Sequence, residues 1–175
     1  MDAAAHDDER STLAQEAGTI VSAAVLHLAR LTGAQTVDRP PWPGASFTEQ
    51  QAEPGDGIRA TLALERSARA GVRVYVQRGR EAGMTWAQVG EALGLAEIAA
   101  ARGSGLGWAA FEYASDAAAY LPGTFRSFGW TCPDCGELVS DHGPGGGNPA
   151  EDEPGHAEGC QRLAAAVAEW LARGD

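Results

Sequence analysis

With 175 residues, 44% of them apolar, the chain can bury one ordinary core with a small appended module, and its longest apolar run, "AAVLHLA", is far short of the roughly 20 residues that a membrane span needs. Its 13 basic residues are all arginine and face 24 acids, and the net charge of −11 is unevenly placed: nine acids face three arginines in residues 1–56, six face eight in 57–126, and nine face two in 127–175. Phosphate repels such a chain at long range, which disfavours nonspecific nucleic-acid or anionic-membrane binding everywhere but in the middle, and with no basic leader ahead of an apolar segment the expected setting is the cytoplasm.

Residues 1–32 read as an acidic start followed by an amphipathic helix from Thr12 to Leu31. Its apolar side is Ile20, Val21, Ala24, Val25, Leu28 and Leu31, and Thr12 with Gln15 makes a capping box. His27 falls on this helix as a surface or boundary residue rather than a ligand. Residues 33–56 hold four prolines and no periodicity, which predicts a linker, with Trp42 pinning it to the core. Residues 57–128 then form a helical domain. Asp56 and Gly57 open its first helix, which runs to about Gly79 with Ile58, Leu62, Ala68, Val72, Tyr75 and Val76 inward; the β-prone run "VRVYV" takes its conformation from the helical sequence on both sides. Arg59, Arg66, Arg73 and Arg80 recur every seven residues with Arg69 beside them, giving one basic stripe. It is either a solvated face balanced by the acidic ends or a surface for phosphates or an acidic partner.

"GMTWAQVGEALGLAEIAAARG", residues 83–103, resembles a helix-turn-helix of bacterial regulators, spanning 85–102. Thr85 and Gln88 form a capping box, Gly90 takes the small-residue position where the two helices cross, and Gly94 takes the turn with positive φ. Leu93, Leu95 and Ile98 supply core contacts. The start of the second helix, however, holds Ala96, Glu97, Ile98, Ala99, Ala100 and Ala101, with Arg102 its only base, where DNA-reading helices carry polar or basic side chains. Trp108, Phe111, Tyr113, Ala117 and Tyr120 then give a short aromatic helix joining the helical body to the C-terminal segment. The glycines of "GSGLGW" follow no strand and precede no GK[ST], so they make no phosphate cradle.

Residues 129–175 carry metal chemistry. Cys132 and Cys135 lie on a "CPDCG" turn in which Gly136 permits the backward bend, and His156 and Cys160 are four apart, on one helical face if the last helix starts by Ala157. Three thiols and an imidazole in two pairs suit tetrahedral Zn(II), and four protein ligands leave no open position, so the ion is expected to be structural and the chain to have no catalytic residues. His142 is the rival for His156, and Asp134 or Glu158 the expected acceptor behind the histidine. The "HAE" of residues 156–158 has the wrong order and surroundings for a zinc deaminase. Leu163, Val167, Trp170 and Leu171 make an apolar stripe that can pack on the knuckle and Trp130.

Taken together, "GMTWAQVGEALGL", "WAAFEYA" and "WTCPDCGELVSDHGP" with "EDEPGHAEGCQRLAAAVAEW" resemble a group of actinobacterial proteins that join a helix-turn-helix to a C-terminal Cys/His segment, over about residues 57–172. The resemblance implies a DNA-binding or regulatory protein with no known chemistry and with Cys132, Cys135, His156 and Cys160 as ligands. The expected fold is therefore mainly α, a helical domain with a helix-turn-helix followed by a small zinc-knuckle-plus-helix module. In a DNA-linked regulator of transcription, Arg102 with Arg59, Arg66, Arg69, Arg73 and Arg80 would contact phosphates from a homodimer. In the alternative, the same scaffold binds a protein partner and no DNA.

Overall fold

The computed structural model describes residues 3–115, 126–145 and 147–173. The chain is mainly helical, with seven helices and two small antiparallel sheets among the described residues, none of those helices being long and apolar enough to cross a membrane. It divides into two units, Met1–Ala68 and Arg69–Asp175.

In the first unit, α1 runs Ala3–Leu31 and is followed by a hairpin of β1, Thr36–Arg39, and β2, Glu49–Ala52, paired from Thr36↔Ala52 to Arg39↔Glu49. Two sequence expectations are corrected here. Helix α1 starts nine residues before Thr12, because the preceding alanine- and acid-rich residues are themselves compatible with a helix, so Thr12 is an interior residue and not a cap. Residues 33–56 are not a bare linker: the strands are short and polar, and the prolines at 40, 41 and 43 sit in the loop between them, where they remove no ladder bond. Trp42 does not reach a core; it is 57% exposed and meets Phe47 edge-on at 5.5 Å. Ala29 and Ala60 are buried and Ala24, Val25 and Leu28 half-buried, while Ile20, Val21, Leu31, Ile58 and Leu62 point outward.

Helix α2, Pro54–Glu81, carries "VRVYV" as helix and brings Val76 into the core of the second unit, with Val72 half-buried and Ala68 and Tyr75 exposed. Three helices follow: α3, Trp86–Ala92; α4, Ala96–Arg102; and α5, Leu106–Ser115. The Thr85–Gln88 capping box forms in both directions, and Gly94 turns the chain at φ 67°. Gly90 does lie at a close approach, but to α5: a Cβ there would meet the Leu106 side chain at 2.7 Å and its carbonyl oxygen at 2.8 Å. Ile98 faces out and Ala99 takes the buried place on α4. From α5, Phe111 is buried, Trp108 stacks on it, and Tyr113 is half exposed; Ala117 and Tyr120 lie outside the described residues.

The second hairpin pairs β3, Phe128–Thr131, with β4, Leu138–Asp141, in the register Phe128↔Asp141 to Thr131↔Leu138. Helices α6, Pro149–Asp152, and α7, Gln161–Arg173, complete the chain. Strand alternation sends Phe128 and Trp130 to one buried face with Val139. That face shares a single cluster with Val76, Trp86, Val89, Ala110 and Phe111, and Trp86 meets Phe111 and Phe128 edge-on at 5.3 and 5.4 Å. The boundary expected between residues 128 and 129 therefore falls inside one core.

Candidate metal centre

The CPDC turn is the tip of the β3–β4 hairpin. Cys132 N–H donates to the Glu137 carbonyl at 2.9 Å and Gly136 N–H to the Cys132 carbonyl at 2.8 Å, with Gly136 at φ 74°, a conformation that a side chain would strain. Both sulfurs are thereby turned toward the returning chain. Residues 152–154 run beside β4, where His142 N–H donates to the Asp152 carbonyl at 2.8 Å and Ser140 N–H to the Pro154 carbonyl at 2.9 Å. Gly155 passes so close that a Cβ on it would lie 2.5 Å from the Leu138 carbonyl oxygen. This pairing delivers His156 to the knuckle. Cys160 follows from a turn closed by its own N–H on the Ala157 carbonyl at 3.1 Å, and its carbonyl accepts from Ala164 as α7 begins. The expectation that the helix starts by Ala157 is corrected: it starts at Gln161, because Gly159 at φ 77° interrupts a helix at that point.

One ligand atom from each of Cys132, Cys135, His156 and Cys160 lies within 4.8 Å of all the others, so the four could hold a metal ion. Cys132 Sγ is 3.8 Å from Cys160 Sγ, and His156 Nδ1 is 3.3 Å from Cys160 Sγ and 3.7 Å from Cys135 Sγ. A tetrahedron with Zn–S near 2.3 Å and Zn–N near 2.0 Å has S···S edges of about 3.8 Å and N···S edges of about 3.5 Å. The donor set fits a tetrahedral ion on distance as well as on chemistry. Glu137 and Ala157 direct backbone N–H groups at Cys135: the Ala157 bond, then the Glu137 bond, pull its thiol down to about 6, the His156 ring adding to them, whereas burial pushes the Cys132 thiol up.

His156 Nε2 is buried without a hydrogen bond, 3.6 Å from a Glu153 carboxylate oxygen. Glu153, and neither Asp134 nor Glu158, is thus the carboxylate beside the imidazole. His142 is exposed and lies outside the four-residue cluster. The Trp130 ring stands edge-on to His156 at 5.7 Å, and the Arg162 guanidinium lies over Trp130 at 4.2 Å.

Glu153 also ties the cluster to a buried polar network that periodicity did not reveal. Arg80 is 5% exposed; its Nε and Nη2 donate to Asp141 Oδ2 at 3.0 and 2.8 Å, Nη2 also donates to Glu153, and Nη1 donates to the Met84 carbonyl at 2.6 Å. Asp141, 1% exposed, accepts in addition from Trp86 Nε1, Trp130 Nε1 and Gly143 N–H. Arg162 donates to the Arg80 and Glu81 carbonyls, closing the C-terminal end of α2. Arg80 is accordingly removed from the basic stripe and turned inward. Of the other arginines singled out in the sequence, Arg59 is ion-paired to Asp56, Arg73 lies over Phe128 at 5.3 Å, Arg102 is 3.6 Å from Glu112, and Arg66 and Arg69 are exposed. The only signal that could have exposed the network was the pairing of an arginine at a helix end with an acid ending a predicted strand, and no strand was predicted.

Compared with known protein families, curated proteins and solved structures, the chain matches none of them.

Proposed function

We propose that the Cys132–Cys135–His156–Cys160 cluster holds a structural Zn(II), and that the chain is a non-enzymatic protein that works by binding another protein. Four protein donors in a closed shell leave no position for water or substrate, which supports a structural over a catalytic ion. The observation that carries the protein-binding reading is the outward face of α4. It presents Ala96, Glu97, Ile98, Ala100 and Ala101, and its one base, Arg102, faces Glu112. Such a face offers one bidentate donor for a base edge, the exposed Arg102 beside Glu112, and little attraction for phosphate, but an apolar contact surface of modest size. Loss of Arg80 to the interior weakens the phosphate reading further.

DNA binding by a helix-turn-helix is the second reading, favoured by the completed Thr85–Gln88 capping box and by the Gly94 turn that joins α3 to α4. Two measurements test the proposal. Elemental analysis of the purified chain should give one zinc per molecule, lost in His156→Ala and kept in His142→Ala; zinc that depends on His142 overturns the ligand set. Selection from a random-sequence DNA duplex pool at low salt should enrich nothing. An enriched sequence whose affinity falls steeply with added salt would establish the DNA reading instead.

A further inference from the structure

An open cleft of about 880 Å³, lined by none of the four Cys/His donors, lies in the second unit between the start of α3, the start of α5, the 143–145 turn and α7. Its walls include Trp108, Trp170, Pro144 and Pro149, and its acids are Asp152, Glu153 and Glu169. The one base in the lining, Arg80, is already neutralised by Asp141 and Glu153. The cleft is therefore aromatic and net negative. Trp108 is 41% exposed, although its ring is one of the largest apolar surfaces in the chain, and Trp170 Nε1 is buried with no hydrogen-bond acceptor. Asp152 is partly withdrawn from water, which pushes its carboxyl up, and Asp141, Glu153 and Glu151 beside it add to this.

We infer that this cleft is a docking site for a segment of a partner protein that carries an arginine or lysine side chain. The inference rests on the protein-binding reading above and adds to the α4 face a second surface and its chemistry. An indole face attracts a cation and covers the aliphatic stem behind it, while a carboxylate fixes the charged head. The interior of this chain already holds a guanidinium in that way: Arg80 lies over Trp86 at 5.1 Å and Trp130 at 5.5 Å, with Asp141 and Glu153 on its nitrogens. Trp108, Trp170, Asp152 and Glu169 bring the same groups together at the surface, without an occupant among the described residues. The volume exceeds what one side chain fills, and at Gly105, where a Cβ would meet nothing within 4 Å, one wall leaves room for a peptide backbone.

The test is selection of displayed random dodecapeptides on the zinc-loaded full chain, with affinities then measured by fluorescence anisotropy of the selected peptides. The expected result is enrichment of arginine or lysine, and binding at least about 10-fold weaker in Asp152→Asn with Glu169→Gln, and in Trp108→Ala, the loss expected when a desolvated cation loses its ring or carboxylate. A charge-matched control outside the cleft, Glu16→Gln with Glu49→Gln at two exposed acids, should bind as the wild type does, and the α4 pair Glu97→Gln with Ile98→Ser is measured beside it. Peptides without cations, or peptides indifferent to the cleft variants, overturn the inference. Peptides lost in the α4 pair and kept in the cleft variants place the contact on α4 and overturn the inference while keeping the protein-binding reading, and failure to select any peptide overturns both.

Discussion

At the scale of single residues, the side chain that matters most outside the Cys/His cluster is Arg80. It donates to Asp141, Glu153 and the Met84 carbonyl, and lies over two indole rings. A buried pair of this kind is a weak source of net stability as a whole, but removing one member strands the other in a low-dielectric interior. We expect Arg80→Met to lower the unfolding free energy by about 3–5 kcal/mol, since Asp141 keeps its charge with only indole and backbone N–H donors. Arg80→Lys should recover little of this, because one ammonium on a flexible stem cannot replace a planar fork that reaches three acceptors. Urea unfolding followed by intrinsic fluorescence measures both, and a Lys variant as stable as the wild type would contradict the account. The sequence could not announce this role. An arginine at every seventh position looks like a solvated stripe, and its acceptor lies 61 residues away on a strand. Cys132, Cys135, His156 and Cys160 were legible for the opposite reason: their chemistry and spacing carry the signal locally, so the cluster forms as expected even though the helix after it starts later.

At the scale of elements, the structure separates what was readable from what was not by range. The capping box at Thr85 and the bend at Gly94 depend on residues within three or four positions, and both are found. The 36–52 hairpin depends on two polar four-residue strands finding each other across a proline-containing loop, and no periodicity reports that. Close approach is likewise nonlocal, and two glycines separate it from helix propensity. Gly90 and Gly71 both sit in helices, but a Cβ at Gly90 would strike Leu106 on α5, including its backbone, while one at Gly71 would meet nothing within 4 Å. Gly90→Ala should therefore destabilise by roughly 1–3 kcal/mol, the cost of forcing α3 away from α5. Gly71→Ala should stabilise by about 0.5–1 kcal/mol, the propensity gain alone. Thermal melts of the two variants in parallel check this, and the same sign for both would show that helix packing does not set the requirement at residue 90.

At the scale of the molecule, the Cys/His cluster is part of a core that it shares with the helices. Read from the sequence, residues 129–175 are a module whose loss leaves the helical body standing. In the structure Cys132 and Cys160 belong to the same buried cluster as Trp86, Ala110 and Phe111, with Phe128 and Trp130 between them and the helices. The Glu153 carboxylate beside His156 is also a partner of Arg80 on α2. If the cluster opens, the hairpin loses the turn that fixes Cys132 and Cys135, residues 152–160 lose their anchor, and Trp130 and Asp141 can no longer complete the core around Trp86. A structural zinc contributes on the order of 10 kcal/mol in small metal-dependent folds, comparable to the whole stability of an ordinary domain. Chelation, or Cys135→Ser, should thus unfold the second unit in one transition. Indole fluorescence and far-ultraviolet circular dichroism should change together, and proteolysis should cut α3–α5 as readily as residues 130–172. Cleavage confined to residues 130–172, with the helical signal retained, would show instead that the shared core survives without the metal and that the helices fold on their own apolar contacts.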